Sequence, residues 1–302
     1  MENLDWQSTE WLESVQNWTN QNLKDNNIEP IGKLESVSGW ALGQILKQRT
    51  NNGYYFFKST AFLPLFSNES QVCITLSKLL PDFVPKALSA SKNNQWMISH
   101  DFGGGLPEGT EKTTWAYAFE SFAKLQLQSI PHLNELKQNG CLDRAITTIP
   151  KQLEAFLNDL TIIKDLPKEI EVNKNKIVLS VAKAIEELEQ FNFPNTLVHG
   201  DLHIENIAKN NGNYIFFDWS DACISHPFID GTYIFRMPES KEKRGIVDSY
   251  LSQWLHLADY ETLIKAWNMA EIVCYAHQAI TYGSMKKALS TEQMQDLEQA
   301  FI

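Results

Sequence analysis

Strand-like and helical hydrophobic patterns dominate different parts of the chain, and this division constrains its fold more than any other feature of the sequence. Strand-like runs occur at residues 31–37, 41–50, 54–60 and 95–99. Helical spacing dominates afterwards, in the segments 111–129, 150–163, 167–190, 242–257, 259–285 and 291–300. This order predicts an α+β protein in which a small sheet precedes a larger, mainly helical region.

One helix is predicted before the first strand-like run and a second one after the third run. Residues 5–24 carry tryptophan, leucine and valine at helical spacing and predict an amphipathic helix. Residues 67–83 predict a second helix, with Ser67 or Asn68 as its N-cap and Pro81 as its stop.

The first three strand-like runs predict an antiparallel meander. We expect Ser38-Gly39 to form the first connection and Asn51-Asn52-Gly53 to form a hairpin turn.

Three consecutive glycines, Gly103 to Gly105, mark the strongest internal boundary of the sequence. They predict an N-terminal lobe over residues 1–99, a hinge over 100–105 and a C-terminal lobe over 106–302.

The composition indicates which binding partners and which cellular compartment to expect. The 26 basic and 37 acidic residues give a formal net charge of −11, which argues against a nucleic-acid surface and favours neutral or cationic small partners. Four widely spaced cysteines suggest neither a disulfide framework nor a zinc knuckle. No apolar run is long enough for a membrane span and no signal peptide is evident, so we expect a cytoplasmic protein.

Residues 197–221, "LVHGDLHIENIAKNNGNYIFFDWSD", concentrate polar side chains between strand-like runs. Asp201 and Asn206 lie five positions apart, and Asp218 ends the apolar run "YIFF", where a buried carboxylate needs a compensating charge. Carboxylate and amide oxygens suit magnesium, so Asn206 and Asp218 are candidate ligands, while Asp201 would accept a proton from an attacking hydroxyl.

Two alternatives to this interpretation stay open. His199 and His203 are a candidate zinc pair, although Gly200 fits a turn better than the helix of an HExxH site. Aspartate, asparagine and glycine between strands are also ordinary turn formers.

Two segments resemble a known family. "HGDLHIEN" (199–206) and "FFDWSDACISHPFID" (216–230) are similar to the two C-terminal signatures of the aminoglycoside phosphotransferase and choline kinase-like small-molecule kinases. The resemblance implies a protein-kinase-like, two-lobed fold with ATP and Mg²⁺ as cofactors. It implies that Asp201 is catalytic and that Asn206 and Asp218 hold the metal.

The resemblance also implies roles in the N-terminal lobe. Lys58 stands where the family has its phosphate-binding lysine, and Glu69 in the following helix would pair with it. Ser99 would line the back of the adenine pocket, while His100 and Phe102 would offer backbone groups to the adenine edge.

Other positions depart from the family or are unassigned. Gly39 and Gly43 do not complete a GxGxxG loop, and Gln126 replaces a histidine common in the family. Asp230 would brace the catalytic loop from behind. The apolar linker "AFLPLF" (61–66) has no assigned place.

The leading hypothesis is a phosphotransferase that moves the γ-phosphoryl group of ATP to a hydroxyl of a small molecule, such as an aminoglycoside, a choline-like amino alcohol or a sugar. The acceptor and the oligomeric state do not follow from the sequence. The main alternative is a non-catalytic nucleotide-binding or regulatory protein on a kinase-like scaffold. A protein kinase is disfavoured because Asp218 begins "DWS" rather than DFG, no APE segment follows it, and "DWSDACISHP" leaves little room for a long activation loop. A zinc hydrolase using His199, His203 and Asp218 ranks last.

Overall fold

The N-terminal region is built on one antiparallel sheet. A computed structural model describes residue 6 and residues 8–300, with side chains described through residue 295. The strands are β1 (Pro30–Trp40), β2 (Gly43–Thr50), β3 (Gly53–Thr60), β4 (Ala87–Ser91) and β5 (Trp96–His100). Their order across the sheet is β1-β2-β3-β5-β4, and every neighbouring pair is antiparallel, so the predicted meander of the first three strands is confirmed.

The first connection of the meander lies three residues beyond the predicted position. Strand β1 continues through Ser38-Gly39, because Gly39 pairs with Gln44 and Trp40 pairs with Gly43, and the turn falls at Ala41-Leu42. The prediction was wrong because the glycines serve packing rather than turning: a Cβ on Gly43 would lie 2.9 Å from the Trp40 ring. The predicted turn at residues 51–53 is confirmed, with Gly53 at φ +92°.

Helix α1 (Thr9–Asp25) covers one face of this sheet. Ser8 caps it by accepting a hydrogen bond from the Trp11 N–H, whereas residues 5 and 7 of the predicted helix lie outside the described residues. The rings of Trp11 and Trp96 lie 6.5 Å apart between centroids, and that of Phe57 lies 6.1 Å from Trp11. The buried face of α1 therefore holds the sheet through aromatic edge contacts.

Helix α2 (Glu69–Leu79) begins where the sequence predicts and ends before Pro81. Its N-cap is Asn68, whose side chain accepts a hydrogen bond from the Gln71 N–H at 3.2 Å. Val72 and Leu76 on this helix are buried in the core of the helical region. Because α2 touches both regions, it fixes the position of Glu69 relative to the C-terminal part of the chain.

The helical region contains α3 (Lys112–Ser129), α4 (Leu133–Gln138), α5 (Ile149–Leu157), α6 (Leu160–Ile163), α7 (Lys168–Glu189), α8 (Thr232–Phe235), α9 (Lys241–Ser252), α10 (Tyr260–Ala288) and α11 (Thr291–Ala300). The helix predicted over 150–163 is two helices, because Asp159 interrupts it and caps α6 through the Thr161 N–H. A sheet followed by a helical region confirms the predicted α+β class.

Short strands set into the helical region carry the polar segment. A three-stranded sheet has the order β6-β10-β7, with β6 at Leu142–Asp143, β7 at Thr196–Val198 and β10 at Cys223–Ser225. Strands β8 (Ile207–Asn210) and β9 (Asn213–Phe216) form a hairpin. Residues 199–206 thus join β7 to β8, and residues 217–222 join β9 to β10.

The apolar linker "AFLPLF" joins the N-terminal sheet to the end of α10. Leu63 and Met285 are 8% and 4% exposed and form a small cluster, against which Trp40 and Leu42 of the β1–β2 turn also pack. The Ser284 hydroxyl donates to the Pro64 carbonyl at 3.0 Å. The linker therefore connects the β1–β2 turn to α10, in a part of the sequence more than two hundred residues later.

No helix among the described residues is both long enough and apolar enough to cross a bilayer.

Gly105 offers a direct test of how tightly the glycine segment meets the rest of the fold. It forms an isolated bridge with Ala208, and a Cβ added to it would lie 1.9 Å from the backbone oxygen of Glu205. We expect Gly105→Ala to lower the free energy of unfolding by about 1–3 kcal/mol, because the backbone must shift to relieve the clash. Gly104→Ala, where nothing lies within 4 Å of the added Cβ, should change it by less than about 0.5 kcal/mol. Urea unfolding at equal m-values measures the difference, and equal midpoints for the two variants would contradict the expectation.

Candidate active site

The Lys58 ammonium lies at the meeting point of three elements. Its Nζ is 2.7 Å from Glu69 Oε1, on the first residue of α2, and 2.8 Å from Asp218 Oδ1, which follows β9. Lys58 is 8% exposed on β3. The structure thus brings together three residues predicted from sequence, separated by up to 160 positions.

The Glu69 carboxylate is held from several sides. Its Oε1 also accepts a hydrogen bond from the Trp219 N–H at 3.2 Å, and its Oε2 accepts one from the Thr60 hydroxyl. The Glu69 N–H itself donates to the Gln95 side chain at 3.1 Å. Since Glu69 is 1% exposed, these donors replace the water that a buried carboxylate loses.

Burial and charge act in opposite directions on the three ionisable groups. Burial on its own lowers the pKa of Lys58, but the carboxylates of Asp218 and Glu69 outweigh it and raise that pKa above its usual value. Burial disfavours the Asp218 carboxylate, yet the Lys58 ammonium brings the pKa of Asp218 below its usual value. Burial raises the pKa of Glu69, which Lys58 partly offsets. Lys58 and Asp218 are accordingly charged at neutral pH.

Asp218 has a strained backbone and an open side chain. Its φ of +66° lies in the left-handed region, which non-glycine residues seldom adopt. The Asp218 side chain is 33% exposed, and its Oδ2 has no hydrogen-bond partner among the described residues. The conformation thus leaves one carboxylate oxygen free to bind a ligand.

The loop after β7 brings Asp201 and Asn206 to the same place. The Asn206 Nδ2 donates to the Asp201 main-chain oxygen at 2.9 Å and approaches Asp201 Oδ2 at 3.4 Å. The Phe217 N–H donates to the Asn206 carbonyl at 3.1 Å, which places this loop beside Asp218. Because the Asn206 amide nitrogen is engaged, its Oδ1 remains as an acceptor without a partner among the described residues.

Asp230 holds this loop from below, as the family resemblance implies. Its carboxylate accepts hydrogen bonds from the backbone N–H groups of His199 and Gly200, both at 2.8 Å, and from Gln126 Nε2 at 3.2 Å. Gly200 has a φ of +86°, and a Cβ there would lie 2.4 Å from the Asp221 oxygen. Gln126 thus takes part in the bracing at the position where the family commonly has histidine.

His199 is neutral and fully engaged. Its Nδ1 accepts a hydrogen bond from the Asp201 N–H at 3.3 Å, so its Nε2 carries the proton and donates to the Phe217 carbonyl at 2.9 Å. Burial lowers the pKa of His199, which keeps the ring uncharged. This arrangement leaves no lone pair for zinc, and no group of three or more histidine, cysteine, aspartate or glutamate side chains in the described part of the chain is placed to hold a metal.

An apolar cavity of about 440 Å³ adjoins the Lys58 group. Lys58 and Asp218 line it together with apolar side chains and the glycine segment: Val37, Ile45, Phe56, Cys73, Pro85, Ala87, Met97, Phe217 and Gly103 to Gly105. Ser99 and Phe102, predicted from sequence, also line it, as does Asp101.

His100 lies outside the cavity lining. Its ring packs against Tyr55, with centroids 4.6 Å apart, and its N–H donates to the Lys86 carbonyl at 3.0 Å. Because its N–H is engaged, the carbonyl is the backbone group that His100 could offer to a ligand. Glu69 stands behind Lys58 rather than in the cavity wall.

Sequence reasoning missed several residues of the site. Thr60 lies two positions after Lys58 on the same face of β3, so strand alternation could have found it. The Tyr233 hydroxyl donates to Asp201 Oδ1 at 2.7 Å, and the Trp40 ring centroid lies 5.7 Å from Lys58 Nζ. No sequence motif marks Tyr233 or Trp40.

Comparison with known proteins agrees with this geometry. Residues 120–264, which include Asp201, Asn206 and Asp218, match the phosphotransferase enzyme family. No curated protein matches the chain at a significant level.

The fold is similar to several solved structures. One is a GDP complex of aminoglycoside 2'-phosphotransferase-IIIa, with 14% identity, a TM-score of 0.65, and coverage of 93% of this chain and 95% of that one. Another is an ethanolamine kinase of Plasmodium vivax, with 14% identity, a TM-score of 0.62, and coverage of 92% and 83%. A third is a choline kinase of Cryptosporidium parvum Iowa II, with 13% identity, a TM-score of 0.59, and coverage of 96% of both chains.

These solved structures confirm the predicted two-lobed, kinase-like fold. The match over residues 120–264 confirms the expected resemblance to the phosphotransferase enzyme family and agrees with the expected enzyme class.

His226 begins the turn that leads to Asp230 and gives a pH-dependent test of this region. It is 2% exposed, its Nδ1 accepts a hydrogen bond from the Phe228 N–H, and burial lowers its pKa to about 3. In the unfolded chain the pKa of a histidine is about 6.5, so below that pH the unfolded state takes up a proton that the folded state does not. The free energy of unfolding therefore falls between pH ~6.5 and pH 3, by at most about 1.4 kcal/mol per pH unit.

We expect His226→Asn, which keeps a capping acceptor, to reduce the loss of unfolding free energy on acidification. The loss due to the buried His199 and His277 should remain. His256→Asn, at an exposed position, should keep the wild-type slope. Urea unfolding at several pH values measures both, and an unchanged slope in His226→Asn would refute the expectation.

Proposed function

We propose that the protein transfers the γ-phosphoryl group of ATP to a hydroxyl of a small molecule in an Mg²⁺-dependent reaction. The observation that carries this proposal is the Lys58 ammonium, bound to Asp218 and Glu69 at the wall of an apolar cavity and next to the loop with Asp201. Lys58 would steady the phosphates of the nucleotide. Phosphoryl transfer depends mainly on such positioning and charge neutralisation.

The residues present fit a magnesium ion. Asp218 Oδ2 and Asn206 Oδ1 are hard oxygen donors without partners among the described residues. Magnesium usually takes one or two protein oxygens and completes its shell with phosphate and water. When bound, the ion would neutralise charge on the phosphates, while Asn206 and Asp218 would hold it beside Lys58.

Asp201 would orient the acceptor hydroxyl and take its proton. Its Oδ1 is occupied by the Tyr233 hydroxyl, whereas its Oδ2 has only longer contacts, at 3.4 Å from Asn206 Nδ2 and 3.6 Å from His203 Nε2. The acceptor proton would therefore pass to Oδ2.

The cavity would hold the adenine ring. Its apolar walls suit an aromatic base. We assign two backbone groups to the edge of the base: the Phe102 N–H, which has no acceptor among the described residues, and the His100 carbonyl. Ser99 would line the back of the pocket. We place the hinge at residues 100–105, between an N-terminal lobe over 1–99 and a C-terminal lobe over 106–302.

For the acceptor we propose an aminoglycoside, a choline-like amino alcohol or a sugar. The net charge of −11 supports a neutral or cationic acceptor. The similar solved structures include proteins named for aminoglycosides, ethanolamine and choline. Four buried cysteines without disulfides support a cytoplasmic location.

Nucleotide binding is the first consequence to test. A ligand that binds only the folded state stabilises it, by about 2.7 kcal/mol at one hundred times its Kd. We expect ATP with Mg²⁺ to raise the thermal midpoint of the wild type, and Asp218→Asn to lose the Mg²⁺-dependent part of the rise, because it removes a charged metal ligand. Asp82→Asn, at an exposed position, should behave as the wild type. Absence of any rise with ATP, or equal rises in all three proteins, would count against the proposal.

A further inference from the structure

The two carboxylate oxygens of Asp201 have different surroundings. Oδ1 accepts a hydrogen bond from the Tyr233 hydroxyl at 2.7 Å. Oδ2 has only long contacts, with Asn206 Nδ2 at 3.4 Å and with His203 Nε2 at 3.6 Å. A half-buried aspartate with one anchored and one open oxygen is arranged to receive a hydrogen bond from a further group on the open side.

Tyr233 is fixed by the same frame that fixes the catalytic loop. It lies on α8, three residues after Asp230, whose carboxylate binds the backbone N–H groups of His199 and Gly200. Next to it, the Thr232 hydroxyl contacts Cys274 Sγ at 2.9 Å on α10.

From the same helix α10, Gln278 Nε2 donates to the Gly200 carbonyl at 2.6 Å. Helix α10 thus anchors both the loop with Asp201 and the short helix with Tyr233. The spacing of the two side chains is therefore determined by tertiary structure rather than by a flexible loop alone.

The surroundings of the Tyr233 ring keep its hydroxyl a donor. The ring lies near His203, with centroids 5.2 Å apart, and near the Arg236 guanidinium, 5.6 Å from its centroid. Burial first, and the negative charge of Asp201 second, raise the pKa of Tyr233. The phenol stays protonated across the physiological range and continues to donate to Asp201.

We propose that Tyr233 is a positioning residue that fixes the Asp201 carboxylate so that its Oδ2 faces the acceptor hydroxyl. The inference rests on the proposed function and adds a residue to it. Without the phenol, the carboxylate is free to rotate, and fewer encounters present Oδ2 in the geometry that proton acceptance requires. Tyr233 acts through Asp201 and does not itself exchange a proton with the substrate.

Tyr233→Phe removes only the hydroxyl and tests the inference in steady-state kinetics. We expect kcat to fall about tenfold or more, as for the loss of a hydrogen bond to a charged group, while the KM for ATP stays within about twofold. Tyr260→Phe is a matched control, because the Tyr260 hydroxyl donates to Asp248 at 2.5 Å away from the site. It should leave kcat and both KM values unchanged. A kcat for Tyr233→Phe equal to that of Tyr260→Phe, or an effect on the ATP KM alone, would overturn the inference.

Crystal structures of the wild type and Tyr233→Phe separate this inference from the proposed function. We expect one Asp201 conformer bound to Tyr233 in the wild type, and a rotated or divided Asp201 side chain in the variant. An Asp201 side chain unchanged in the variant would overturn the positioning role. If the wild type phosphorylates no acceptor, the proposed function fails, and the structures still decide whether Tyr233 positions Asp201.

Discussion

The buried Lys58 ammonium between Glu69 and Asp218 is the interaction on which the arrangement of the site depends. A buried charge is costly unless it is paired and hydrogen-bonded, and removing one partner leaves the other uncompensated. The three groups come from a strand, a helix start and a loop in the helical region, so their pairing requires these elements to meet in one relative position. Such a pair contributes little net stability but selects one geometry, because other arrangements leave a charge unpaired in the interior.

A second set of hydrogen bonds fixes the position of Asp201 relative to Lys58 and Asp218. Asp230 fixes the backbone of His199 and Gly200, and the neutral His199 ring links the Asp201 N–H to the Phe217 carbonyl. The residue after Phe217 is Asp218, which binds Lys58. The loop that carries the proposed base and the residue that would hold the metal are thereby joined through one imidazole ring. The strained backbone of Asp218 is stabilised by these contacts and by the buried Trp219.

Much of this arrangement could be predicted from the sequence, because the decisive signals are local. The meander follows from alternation and a glycine turn, and Asp201, Asn206 and Asp218 follow from polar residues beside apolar runs. The β1–β2 turn was predicted at the wrong position because the glycines allow close packing within the strands, Gly39 against the Gln44 side chain and Gly43 against the Trp40 ring. The contacts of Tyr233 with Asp201 and of Leu63 with Met285 depend on residues distant in sequence, so no local pattern marks them.

The most direct measurement is ³¹P NMR of the protein with ATP, Mg²⁺ and, one at a time, an aminoglycoside, choline, ethanolamine and a sugar. We expect one of these acceptors to give a phosphate monoester signal that grows as the γ-phosphate signal of ATP declines. Asp201→Asn should slow this growth by about 10²–10⁴-fold, as for the loss of a general base. Intact ATP with every acceptor, or equal rates of monoester formation in the wild type and Asp201→Asn, would contradict a phosphoryl transfer that depends on Asp201.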